Sequence, residues 1–189
     1  RPQAGRFREH HQFGVEALGD ADPSVDAEVV ELAWRLVLNL GLRAVYLSLN
    51  SIGDSVCRPA YVAELASHYA GHFDELCTDC RVRLERNPLR LLDCKVATCR
   101  DLGDSAPKSV DHLCQECQEH WSRLREHLSA MEIPYRIDHR LVRGLDYYTR
   151  TVFEVQPHEG GAQSTIIGGG RYDGLVQTLG GRPTPGIGF

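Results

Sequence analysis

The sequence predicts an α+β fold, an antiparallel sheet with flanking helices that is interrupted by an α-helical insertion domain. Three observations carry this. Strand, helix and strand patterns follow one another over residues 10–50; the period turns helical over 55–135, where all seven cysteines lie; and β-rich segments return after Tyr135. The implied division is 1–54 and 136–189 as one core, with 55–135 as a helical, Cys-rich insertion.

Residues 10–18 read as a strand, with Phe13, Val15 and Ala17 on one face and Gln12, Gly14 and Glu16 on the other. Asp20 to Pro23 make a turn, Ser24 serves as the N-cap of a helix, and Asp26 and Glu28 suit its first turn. Val29, Leu32, Leu36, Val37 and Leu40 form the apolar stripe of this helix, and Gly41 ends it. Residues 42–50 form a second strand, with Val45, Leu47 and Leu49 on one face. Pro59 starts a helix running toward His72, and Phe73, Leu76, Cys77, Cys80 and Leu84 keep helical spacing up to Asn87-Pro88. A longer helix follows Pro107, with the stripe Val110, Leu113, Cys114, Cys117, Trp121, Leu124, Leu128 and Met131. Residues 147–156, rich in aromatic and β-branched types, form a strand. After a turn at Pro157 to Gly161, another strand starts within Ser164 to Ile167. Gly168-Gly169-Gly170 then lead into a short helical stretch from Tyr172 to Leu179.

With 42% hydrophobic and 25% charged residues over 189 positions, the chain can bury one ordinary core, or one core and a small satellite. The net charge of −5 does not mark a general nucleic-acid binder, so RNA contact would need a local patch. No apolar run reaches the length of a membrane span. An odd cysteine count and no signal peptide argue against a secreted disulfide framework, so the chain reads as cytosolic, with reduced thiols or a metal. Both ends read as cut: there is no initiator Met, and Pro185 to Phe189 read as the lead-in to a further element.

Several groups could carry chemistry. Gln12 and Glu16 share a strand face with Gly14 between them, which suits a small polar ligand bearing N–H groups; the same pattern is that of a half-exposed strand with a polar outer face. Arg143 precedes Gly144 and two tyrosines, Tyr147 and Tyr148, whose phenols point to opposite faces. The three glycines would let backbone approach a planar or phosphorylated ligand, although their spacing is neither that of a dinucleotide fold nor that of a P-loop. Cys77-x2-Cys80 and Cys114-x2-Cys117 have the ligand spacing of a structural zinc site, with Cys94 and Cys99 as alternates. Both pairs also fall on apolar helical stripes, where cysteine packs as a small hydrophobe, and this favours reduced, buried thiols. Arg81, Arg83, Arg86, Arg90, Lys95 and Arg100 make a locally basic stretch, suited to phosphate or to a solvated face.

Taken together, these segments resemble the histidyl-tRNA synthetases, of the class II aminoacyl-tRNA synthetases. Arg1 to Arg8 through His11-Gln12-Phe13-Gly14-Val15-Glu16 look like the second half of motif 2 and its following strand. Leu141-Val142-Arg143-Gly144-Leu145-Asp146-Tyr147-Tyr148 matches a signature of the histidine enzymes. Gly168 to Gly174 with Thr184 to Phe189 look like the glycine-rich strand and the approach to motif 3. The resemblance implies a class II synthetase-like sheet and a two-step reaction. Histidine attacks the α-phosphate of ATP, supplied with Mg2+, and the histidyl group then passes to tRNA(His). It implies that Arg143 supplies catalytic positive charge; that Gln12, Glu16, Arg143, Tyr147, Tyr148 and Tyr172 bind histidine; and that Arg6, Arg8 and His10 face ATP or the tRNA end, His10 standing where the family usually has an aromatic residue. It also implies a cytoplasmic homodimeric parent and an insertion that approaches the acceptor stem. The first motif 2 arginine and the motif 3 arginine would lie outside these 189 residues, so the isolated chain is expected not to aminoacylate. The alternative is a catalytically inactive regulatory paralogue of the kind that assists ATP phosphoribosyltransferase. Such paralogues usually lose the Arg143 signature or the histidine contacts.

Overall fold

β4 (Thr149–Pro157) is the spine of a six-stranded sheet in the computed structural model, which describes Glu9 and residues 11–144, 147–159 and 165–189. β2 (Val45–Ser51) runs antiparallel along one side of it, from Val45 opposite Pro157 to Ser51 opposite Thr151. β5 (Ile167–Arg171) runs antiparallel along the other side. β6 (Gly186–Gly188) and then β1 (Glu16–Leu18) extend the sheet beyond β5, both antiparallel, and β3 (Arg136–Ile137) extends it beyond β2 as a parallel neighbour. The mostly antiparallel sheet with packed helices agrees with the α+β expectation.

The first strand is shorter than the alternation predicts. Only Glu16–Leu18 are strand, and Phe13, expected on the inner face, is 72% exposed. The preceding segment is held instead by Val15, which exchanges two 3.0 Å backbone hydrogen bonds with Phe189. Within Pro185 to Phe189, Gly186–Gly188 form a fully buried strand between β1 and β5. Three residues with two glycines carry almost no periodic signal, which is why the pattern missed them.

α1 (Pro23–Asn39) is capped by Asp22, whose carboxylate accepts from the Ser24 amide at 2.9 Å, rather than by Ser24 itself. Proline at the first helical position needs no amide partner, which fixes the start one residue before the expected cap. Gly41, at φ 86°, ends the helix as expected. The buried face is rotated from the predicted stripe. It consists of Asp26, Ala27, Val29, Val30, Ala33, Trp34 and Val37, while Leu32 and Leu40 are 45% and 70% exposed. α5 (Gln115–Ala130) packs on α1 through Cys117, Trp121, Leu124 and Leu128, and both cover one face of the sheet against Leu47, Leu49, Phe153 and Val155. Its register follows the predicted stripe. Val110 and Leu113, however, precede the helix in a short 3-10 turn and its exit.

Between β2 and α5 the chain makes α2 (Arg58–Ala70), α3 (Thr78–Arg86) and α4 (Ala97–Asp104). They enclose a second, smaller cluster: Tyr61, Leu65, Tyr69, Leu76, Cys80, Leu91, Leu92, Cys94, Cys99 and Ala106. Among the described residues no helix is long and apolar enough to cross a membrane.

Candidate functional site

On the sheet face away from α1 and α5, the strands bring together four residues singled out by sequence. Glu16 leaves β1 opposite Gly188, and a side chain on Gly188 would collide with its carboxylate. The Tyr172 hydroxyl, just past β5, donates to Glu16 Oε2. The Tyr147 ring lies 4.7 Å from that of Tyr148 and 6.1 Å from that of Tyr172, centroid to centroid. Tyr148 and Tyr172 are buried with Ile52, Leu141 and Val152. Burial first, then the neighbouring Tyr148 and Glu16, push the Tyr147 phenol up to about 12. Burial and the bond to Glu16 push Tyr172 up as well, so both stay protonated donors at neutral pH.

Arg143 completes the cluster. Its guanidinium pairs with Glu154 on β4, lies 6.0 Å from the Tyr148 ring, and rests over Gly168. A Cβ on Gly168 would stand 2.6 Å from the guanidinium carbon, so glycine here is a seat for the arginine. Glu154 is itself held by Gln156 and by the Thr165 hydroxyl at 2.9 Å. Arg143 Nε is buried without a hydrogen-bond partner among the described residues. A buried cationic donor without an acceptor is costly and marks a position that an anionic ligand can fill.

Two residues, Asn50 on β2 and Arg58 at the start of the helix Arg58–Ala70, hold this arrangement. Buried Asn50 donates from Nδ2 to the Leu141 carbonyl at 3.1 Å, tethering the segment that carries Arg143. Arg58 donates to the carbonyls of Tyr148 (2.6 Å) and Gly53 (2.9 Å). Glu154, Asn50 and Arg58 were not visible as site residues in the sequence. Each meets the site through a partner well removed in sequence, Glu154 through Arg143, Asn50 through Leu141 and Arg58 through Tyr148, and nothing in local spacing announces that.

The remaining predicted positions separate. Gln12 lies in the exposed segment before β1, outside the strand that was to align it with Glu16. The room at Gly14 is taken by the Phe189 carbonyl, which a side chain there would strike. Arg6, Arg8 and His10 lie outside the described residues. Of the basic stretch, Arg86, Lys95 and Arg100 are exposed; Arg81 instead ties down the Leu76 carbonyl at 3.0 Å, and Arg83 that of Arg90 at 3.3 Å.

The cysteines are grouped differently from the predicted set. Cys77 and Cys80 sit with Cys94 and Cys99, while Cys114 and Cys117 sit with Cys57 and Asp54, so Cys77, Cys80, Cys114 and Cys117 do not meet. The reason is packing: the first pair faces the small helical cluster and the second faces the sheet's own core. Nor do both members of each pair lie on a helical stripe. Cys77 and Cys114 occupy N-cap positions in extended conformation, and only Cys80 and Cys117 are inside helices. Burial works to raise the Asp54 carboxyl, but hydrogen bonds from Cys117, the Val56 amide and Cys57 overcome it and hold it at about 2.

A family model described as Histidyl-tRNA synthetase matches residues 1–189. The chain belongs to the histidyl-tRNA synthetase family. Among curated relatives, a protein named histidine–tRNA ligase from Dehalococcoides mccartyi is 58% identical over 189 residues, covering 100% of this chain and 45% of its own length. One of the same name from Desulfitobacterium hafniense is 54% identical with the same coverage. The chain thus spans less than half the length of the relatives it matches. Apo histidyl-tRNA synthetase from S. aureus is similar in structure, with a TM-score of 0.69 and 39% identity over 93% of this chain and 43% of that one. A Bacillus halodurans protein titled ATP phosphoribosyltransferase regulatory subunit/histidyl-tRNA synthetase shares the fold, with a TM-score of 0.59 at 23% identity, covering 93% of this chain and 49% of that one. The class II fold expected from the sequence agrees with these likenesses.

Proposed function

We propose that the chain is the central part of a histidine–tRNA ligase, in which it binds histidine and stabilises the charge of adenylate formation. The observation that carries the reading is Arg143, seated on Gly168 beside the Glu16, Tyr147, Tyr148 and Tyr172 cluster with a buried Nε that lacks an acceptor among the described residues. The names of the relatives at 54% and 58% identity support it, and they favour it over the regulatory paralogue.

In this reading, Glu16 accepts an N–H of the imidazole, with Tyr172 fixing the carboxylate and Tyr148 completing the ring's contacts. A pocket that pairs both imidazole nitrogens rejects apolar side chains, because its own groups would be left unpaired. As the histidine carboxylate attacks the α-phosphate and the bond to the departing pyrophosphate breaks, negative charge gathers there, and Arg143 supplies fixed positive charge from a position that Glu154 and Gly168 have already set. ATP enters as its magnesium complex, so that ion belongs to the substrate. Gln12 holds the amino acid's polar end, and Arg6, Arg8 and His10 face ATP or the tRNA terminus. Residues 1–54 and 136–189 form the catalytic core of a homodimeric parent. Residues 55–135 form the insertion, returned to the core by α5 and turned toward tRNA(His).

The test is Arg143→Ala in the full-length protein. Histidine-dependent exchange of pyrophosphate into ATP should fall by about 100-fold or more, while calorimetric histidine affinity changes far less. Equal losses in both would make Arg143 a binding group only, and unchanged exchange would overturn the reading.

A further inference from the structure

We propose that the chain holds two separate structural metal ions of the zinc class, one at Cys77, Cys80, Cys94 and Cys99 and one at Asp54, Cys57, Cys114 and Cys117. In each group the four ligand atoms lie within 4.8 Å of one another. A tetrahedron with zinc–sulfur bonds of about 2.3 Å has edges of about 3.8 Å. The Sγ atoms of Cys77 and Cys94 are 3.9 Å apart, which suits such an edge and is far from a disulfide bond. Groups this tight leave no room for an iron–sulfur cluster between them.

Local structure points the same way. Cys57, Cys77 and Cys114 each occupy the N-cap of a helix, and none caps it with its side chain. Ser, Thr, Asp or Asn would do better there for the helix alone, so cysteine at all three places answers to something else. The helix then returns the thiols of Cys80 and Cys117 toward those of Cys77 and Cys114. Backbone amides are already turned on two of the sulfurs, Cys77 N–H on Cys99 Sγ at 3.3 Å and Asp54 N–H on Cys57 Sγ at 3.4 Å.

Packing as small hydrophobes accounts poorly for the second group, because a carboxylate stands among three thiols. Asp54 Oδ1 lies 3.5 Å from Cys57 Sγ and 4.0 Å from Cys114 Sγ, while Oδ2 lies 3.6 Å from Arg150. One oxygen faces the sulfurs and the other faces a cation, as for a monodentate ligand held by an outer partner. The first group answers a different need. The cluster around it has only ten buried hydrophobic residues, little core for the three helices that enclose it.

Each site takes four protein ligands, so neither leaves an open position for catalysis. Their consequence is mechanical. The first fastens the helical cluster to itself. The second fastens the start of α5 to the loop after β2, whose Gly53 carbonyl receives Arg58 and the Arg150 amide (2.7 Å), with Arg58 also on the Tyr148 carbonyl. The junction metal thus steadies the backbone beneath one wall of the pocket; only this consequence rests on the proposed function.

The experiment is elemental analysis of the purified full-length protein after exhaustive dialysis, with zinc release by a mercurial followed through a chromogenic chelator. Two zinc ions per chain are expected. Cys80→Ser with Cys99→Ser should lose one and keep the other, and Cys114→Ser with Cys117→Ser should lose the other. Should a variant fail to fold, cobalt exchange into the unaltered protein decides, since all-thiolate and three-thiolate sites give distinct tetrahedral ligand-field and sulfur charge-transfer bands. No stoichiometric metal, a single ion, or iron in place of zinc would overturn the proposal. Histidine binding that survives loss of the junction metal would remove the link to the pocket and leave the site itself standing.

Discussion

Arg171 and Asp26 form a fully buried ion pair that ties β5 to α1, with Arg171 Nε 2.9 Å from Asp26 Oδ1 and neither side chain exposed. Thr151 and His120 complete the carboxylate's shell, His120 Nε2 at 2.8 Å from Oδ2. One acid thereby joins α1, α5, β4 and β5. Removing it by Asp26→Ala strands a buried guanidinium, which among the described residues keeps Asp173 and the Asp20 carbonyl. The expected loss is about 3–5 kcal/mol of stability, read from urea unfolding. Replacing both partners, Asp26→Leu with Arg171→Met, should cost less than the single change, because no fully buried charge is left unpaired and Asp173, which loses its cation, is partly exposed.

The same pair sets a pH dependence. Burial works to raise the Asp26 carboxyl, but hydrogen bonds from His120 and Arg171 and the charge of Arg171 lower it below its ordinary value. A folded-state value below the unfolded one means a contribution that is whole above the unfolded range of about 3.9 and is lost as pH falls through the folded value. Asp26→Asn should therefore melt well below the unaltered protein at pH 7, and the gap should close as the pH drops below about 4. A gap that stays constant down to acid would mean that Asp26 is not ionised in the fold. The groups facing it are His120 from α5, Thr151 from β4 and Arg171 from β5.

This pair also shows where the sequence stopped being readable. Asp26 falls four and seven residues before Val30 and Ala33, on the buried face of α1, yet an acid in a first helical turn reads most simply as a partner of the helix dipole. Only its partner 145 positions away makes it a core residue. Arg171, directly after three glycines, carries no local signal for the same reason. Strands and helices came through because their periods are local, and the Arg143 signature came through because its eight residues are contiguous. The cysteine grouping did not, since spacing gives pairs and only the packing of α2, α3, α4 and α5 decides which pairs meet.

Tyr172→Phe tests the pocket with a single atom. The ring would still fill its place against Tyr147, but Glu16 would lose the hydroxyl that orients it. Hydrogen bonds to charged groups contribute about 1.5–3 kcal/mol, and the exposure of Glu16 puts this one at the low end, so histidine KM should rise about 10-fold. The melting temperature should barely change, because the packing is kept. A fall in kcat at constant KM would place Tyr172 with the reacting atoms instead.

Gly168→Ala separates position from charge at Arg143. The new methyl would overlap the guanidinium, 2.6 Å from Cζ, but the three atoms nearest to it all belong to the far end of that flexible side chain. The arginine can therefore swing away at little cost to the fold. It cannot swing away and keep both Glu154 and its place beside Tyr148. Displacements of about 1 Å at a reacting centre cost roughly 100-fold in rate. The expected variant folds and melts near the unaltered protein, binds histidine, and has pyrophosphate exchange lowered toward the level of Arg143→Ala. Pairing it with Arg143→Ala should add little further loss, because both changes remove the same group from the same place. Additive losses would show that Gly168 serves the site by some route other than Arg143.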